Sequence, residues 1–135
     1  MAAVLRDSAA ILERLSGYDW EQVFACAGEE LKETTAYNEP SISRALGSTV
    51  SDKGFARTDI AALHGAEDGE NDGANWIAWG QLHDRRWFFV SAGCDYTGWD
   101  CRSGGSATVA DTRADLILYG MGEDERARFG LKVPS

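Results

Sequence analysis

Trp76-Ile77-Ala78-Trp79-Gly80-Gln81-Leu82 and Trp87-Phe88-Phe89-Val90-Ser91-Ala92 are two aromatic and β-branched runs separated by His83-Asp84-Arg85-Arg86. Such residues favour the pleated, half-buried surface of a sheet, and a short polar connection between two runs marks an antiparallel hairpin. Ser106 to Ala110 supplies a third strand.

On the N-terminal side of these strands, residues 2–15 place Val4, Leu5, Ala9, Ile11, Leu12 and Leu15 at helical spacing, an amphipathic helix ended by Gly17. Asp19 is the expected N-cap of a second helix, with Gln22 completing a capping box and Trp20, Val23, Phe24, Ala27 and Leu31 forming its apolar stripe. Cys26 falls within that helix as a small core residue. Residues 34–53 lack clean periodicity and read as an extended connection with one short turn of helix or strand. Thr58 is expected to cap a short helix through Ile60, Leu63 and His64, and the glycine-rich acidic segment 65–73 to form a loop. On the C-terminal side, Asp111 or Thr112 caps a helix burying Leu116, Ile117 and Tyr119 and stopped by Gly120. A last helix runs from Glu123 to Phe129 and ends at Gly130. Helices, then a strand meander, then helices give an α+β class: a small antiparallel sheet of about three strands, covered on one face and packed against N-terminal and C-terminal helices.

With 135 residues, the chain is expected to be a single domain, divided into a helical part (1–33), the β-meander with its cysteine loop (75–110) and the C-terminal helices (111–130). No apolar run approaches the length that spans a bilayer, so no membrane association is expected. The start has no basic region before its apolar residues, so no secretory signal is expected, and three cysteines, an odd number, fit a reducing compartment. The reading is a cytoplasmic protein.

The formal net charge is −9, from 13 Lys and Arg against 22 Asp and Glu. Nucleic-acid affinity comes from cations neutralising phosphates, so direct DNA or RNA binding is disfavoured. The acidity is concentrated: residues 57–74 hold one arginine against Asp59, Glu67, Asp68, Glu70 and Asp72. Such a stretch is either a solvated loop or an acidic face that steers a basic protein partner.

Cys94-Asp95-Tyr96-Thr97-Gly98-Trp99-Asp100-Cys101, followed by Ser103-Gly104-Gly105, gathers thiols, carboxylates, aromatics and glycines on one loop. The six residues between the cysteines exceed the usual zinc-ligand spacing, and a second ligand pair is missing. A disulfide across the loop is sterically allowed; two packed thiols are the commoner arrangement. A cysteine nucleophile would need a base such as His83, and the flanking carboxylates raise a thiol pKa rather than lower it. Asp95 and Asp100 bracket Gly98 as turn caps rather than as an acid and base pair. The run from Asp68 to Gly73 imitates the start of a calcium loop, but its twelfth position is Trp79, which cannot ligate. No metal, no cofactor and no catalytic residue is assigned. The loop is expected to fold back, with Tyr96 or Trp99 on the sheet, Asp95 and Asp100 accepting backbone N–H bonds, and Cys94 close to Cys101.

Gly69-Glu70-Asn71-Asp72-Gly73 with Trp76, the Cys94 to Cys101 motif, Gly104-Gly105, and Gly122-Glu123-Asp124-Glu125-Arg126 with Phe129-Gly130-Leu131 together resemble a set of small uncharacterised proteins from bacteria and their phages. The resemblance covers the C-terminal half and implies no activity or catalytic residue. In size, charge and lack of enzyme motifs the chain is also similar to anti-CRISPR inhibitors. The resulting expectation is a non-enzymatic, acidic protein-binding module that inhibits a host nucleic-acid-handling complex. Its contacts would be Tyr96, Trp99, Asp95 and Asp100 on the loop, with Glu67, Asp68, Glu70 and Asp72 as steering charges. The alternatives are a metal- or thiol-dependent protein using Cys94 and Cys101, or a structural subunit of a bacterial complex.

Overall fold

The computed structural model describes residues 4–26, 50–52, 55–94 and 106–131. Its strands are β1 (Val50–Asp52), β2 (Ile60–Glu67), β3 (Trp76–Leu82), β4 (Trp87–Ala92) and β5 (Ser106–Ala110). They form one antiparallel sheet in the order β1-β5-β4-β3-β2. The α+β class holds. Four strands of five residues or more and one three-residue edge strand replace the expected three.

The added long strand is β2, where a short helix was expected from the three-residue spacing of Ile60 and Leu63. Two bulges explain that spacing. The pairing with β3 slips between Ile60 and Ala62 and again between Leu63 and Gly65, each slip adding one residue to β2. In a regular strand, residues three apart point to opposite faces; one extra residue returns them to the same face. Ile60, Leu63 and Ala66 therefore all meet the same core, and a bulged strand imitates a helical stripe. Gly65, Ala66 and Glu67, expected in a loop, belong to this strand.

The β3–β4 hairpin forms as read, with Trp79 opposite Phe89. Its turn is held by the Leu82 amide donating to the Arg86 carbonyl and by Arg86 clasping Asp84. Alternation along these strands feeds two cores, so the sheet is covered on both faces rather than one. Ala78, Phe88, Val90 and Val109 pack under Ile11, Leu15, Trp20, Val23 and Phe24 from α1 (Ser8–Arg14) and α2 (Tyr18–Cys26). On the other face, Ile77, Trp79, Phe89 and Ala110 pack against Leu116, Ile117 and Met121.

α1 is shorter than expected. The Asp7 carboxylate caps it by accepting the Ala10 amide at 3.0 Å, and Leu5 leaves the helical path to exchange two backbone bonds with Leu63. Asp19 lies inside the first turn of α2 rather than capping it. After β5, the Thr112 hydroxyl caps the short helix α3 (Arg113–Asp115), which widens into a π-helical turn, Leu116–Gly120. The widening changes the angular spacing of the side chains: Leu116 and Ile117 are buried, but Tyr119 is exposed, contrary to expectation. α4 (Glu123–Phe129) ends as read, at Gly130 in the left-handed region. The Gly130 and Leu131 amides donate to Ala127 and Arg126 carbonyls, closing the helix in a Schellman motif.

Candidate functional site

The bend between α1 and α2 faces the segment that leaves β2, and an open cavity of about 530 Å³ lies between them. Arg14, Tyr18, Asp19, Trp20, Asp68 and Trp76 line it. Tyr18 is 66% exposed, the most exposed large hydrophobic side chain among the described residues. Trp20 and Trp76 are buried at the base of the cavity.

Asp68 organises the cavity wall. Its Oδ1 accepts the Trp20 indole Nε1–H at 2.9 Å and an Arg14 guanidinium N–H at 3.1 Å. Arg14 also donates to the Ala66 carbonyl and lies over the Trp20 ring, 5.8 Å from its centroid. These contacts tie helix α1, helix α2 and the acidic segment together. From the other side, Arg128 of α4 donates to the backbone carbonyls of Asn75 and Asp68. The Glu70 amide bonds the Ala74 carbonyl, and the Asp72 amide bonds the Cys94 carbonyl at 2.7 Å. The Cys94 thiol in turn donates to Asn71 Oδ1 at 3.3 Å. The acidic turn is thus a fixed feature fastened to the end of β4.

The acids expected as steering charges are therefore not equivalent. Glu67, Glu70 and Asp72 are exposed. Asp68 is exposed too, but its Oδ1 is engaged by Trp20 and Arg14 in the wall of the cavity. Asp95, Tyr96, Trp99, Asp100 and Cys101 lie outside the described residues, as does the expected packing of the loop they form. Three of the four described tryptophans, Trp20, Trp76 and Trp79, are core residues, and Trp87 is half-buried.

Sequence reasoning missed Tyr18 and Arg14. Tyr18 sits just before the residue taken as the helix cap, and Arg14 occupied the outer face of an amphipathic pattern; neither position carries a signal of what it meets across the fold. Among the described residues, no group of three His, Cys, Asp or Glu side chains comes together to hold a metal ion, and no helix is long and apolar enough to cross a membrane. In comparisons with family models, curated proteins and solved structures, nothing matches this chain.

Proposed function

We propose that this chain is a non-enzymatic binding module that seats a basic surface of another protein against the cavity between the α1–α2 bend and the acidic turn. The observation that carries this reading is the pairing of an exposed aromatic, Tyr18, with two carboxylates, Asp19 and Asp68, in the lining of one cavity. Tyrosine is a frequent interface anchor because it adds large contact area with little side-chain entropy to lose. Glu67, Glu70 and Asp72 accelerate encounter with a cationic partner while Asp68 keeps the cavity in shape. Partners of this kind include nucleic-acid-handling proteins, whose phosphate-binding faces are basic, so occupation of such a face would make the module an inhibitor. An odd cysteine count supports a cytoplasmic setting.

The test begins with capture of the partner from a native host and continues with its purified form. Tyr18→Ala is expected to weaken binding by tenfold or more, on the order of a modest interface anchor. The triple variant Glu67→Gln, Glu70→Gln, Asp72→Asn is expected to slow association and flatten its salt dependence. Affinity unchanged by both variants and insensitive to salt defeats the proposal.

A further inference from the structure

The cavity between the α1–α2 bend and the acidic turn already receives a cation in its own wall. Arg14 lies over the Trp20 ring and donates to Asp68 Oδ1 at 3.1 Å and to the Ala66 carbonyl at 3.0 Å, so a planar cation rests on an aromatic side chain and is tied by a carboxylate and a backbone oxygen. The same two chemistries recur in the exposed part of the lining. Tyr18 presents its ring, Asp19 follows it in the chain, and both line the cavity together with Asp68. Asp68 takes both of its side-chain bonds on Oδ1, and Oδ2 accepts none among the described residues. Arg14 against Asp19 and Asp68 leaves the lining with one negative charge in excess. Glu21, also in the first turn of α2, offsets the positive end of that helix.

We infer that the cavity is a guanidinium site, filled by a single arginine side chain of the basic partner; this rests on the binding-module reading above and names the group that the partner inserts. One cation balances the excess charge of the lining, whereas an anionic side chain would meet two carboxylates. A guanidinium is planar and weakly hydrated, stacks on an aromatic face and donates from a rigid fork, so it can use the Tyr18 ring and the carboxylates of Asp68 and Asp19 at once. A lysine ammonium is a compact, strongly hydrated point charge that gains less from the ring and loses more on leaving water. The volume of about 530 Å³ lies within the range of pockets that enclose small organic groups, roughly 300–1,000 Å³, and leaves room for the arginine stem and the backbone that carries it.

The probe is N-acetyl-arginine amide, titrated into the intact chain at constant ionic strength, with the Tyr18 ring and Trp20 indole N–H resonances as readouts. Saturation is expected at concentrations on the order of a few millimolar, as suits a ligand of this size. The citrulline counterpart, nearly the same shape without the charge, and the lysine counterpart should both bind several-fold more weakly. Tyr18→Ala and Asp68→Asn should each weaken binding by about tenfold, the size of one charge-assisted hydrogen bond or modest anchor; Asn keeps an acceptor oxygen for Trp20. Arg14→Gln removes a like charge from the lining and should tighten binding. No saturable shift, an arginine probe no better than either counterpart, or wild-type affinity in both weakening variants overturns the inference. Far-UV circular dichroism of each variant separates loss of the site from loss of the fold. If Tyr18→Ala weakens capture of the partner but the probe shifts nothing, the binding module stands and the arginine falls. A probe that binds while the partner ignores Tyr18→Ala keeps the guanidinium site and removes the partner from it.

Discussion

The indole N–H of Trp20 donates to the Asp68 carboxylate at 2.9 Å, joining the second helix to the turn that leaves β2 across 48 residues of sequence. Trp20 is 4% exposed, so this donor has little access to water. Asp68→Ala is expected to lower the unfolding free energy by about 1–3 kcal/mol, because a buried donor loses its acceptor. Asp68→Asn retains an acceptor oxygen and should lose much less. The ion pair to Arg14 adds little, since side chains 35% and 65% exposed are well screened. Urea denaturation of the two variants distinguishes a hydrogen bond from a charge effect.

His64 gives the stability a pH dependence with a definite sign. Its folded pKa lies below the ordinary 6.5, so the unfolded chain takes up a proton first as pH falls. The contribution of His64 is fully present above 6.5, declines as pH falls through 6.5 toward the lowered value, and levels off below it. The difference between wild type and His64→Gln, followed by urea midpoints from pH 8 to pH 5, should show this window.

Two glycines should respond very differently to alanine. A Cβ on Gly80 would stand 2.1 Å from the Ala62 carbonyl oxygen, backbone against backbone across β2 and β3. Gly80→Ala is expected to destabilise by more than about 3 kcal/mol, at or beyond the usual range for overpacking. At Gly130 nothing lies within 4 Å, but φ is +70°. Gly130→Ala should lose only about 1–2 kcal/mol, the steric strain of a left-handed residue. Thermal melts of the two variants provide the comparison.

Arg126 donates from one guanidinium nitrogen to the carbonyls of Ile117 at 2.9 Å and Met121 at 2.8 Å. These carbonyls belong to the π-helical turn and the residue that follows it. Arg126→Met is expected to reduce stability by about 1.5–3 kcal/mol, the range for hydrogen bonds to a charged group. Hydrogen exchange should accelerate in residues 116–121 before the sheet is affected.

How much of this could be read from sequence depended on whether a local pattern decided the outcome. The β3–β4 hairpin, β5, the Thr112 cap and the span of α4 were all legible, because composition, alternation and caps act within a few residues. β2 was not legible as a strand, since its bulges place Ile60, Leu63 and Ala66 on one face at helical-looking spacing. The start of α1 was lost because Leu5 pairs with a residue 58 positions away, and nothing near Leu5 announces Leu63. The acidic stretch was visible as charge, but the role of Asp68 follows from Arg14 and Trp20 across the fold. Tyr18 becomes conspicuous only when its neighbours fold inward and leave it exposed.

The bulged β2 also bears on how the molecule behaves in a crowd. An edge strand normally offers a straight row of amides and carbonyls to which another chain can add. Here the row is broken at two places, and at Leu63 both outward groups are already taken by Leu5. The opposite edge, β1, is only three residues long. Among the described residues, a stranger's strand therefore finds no long, even template at either edge to extend into fibres.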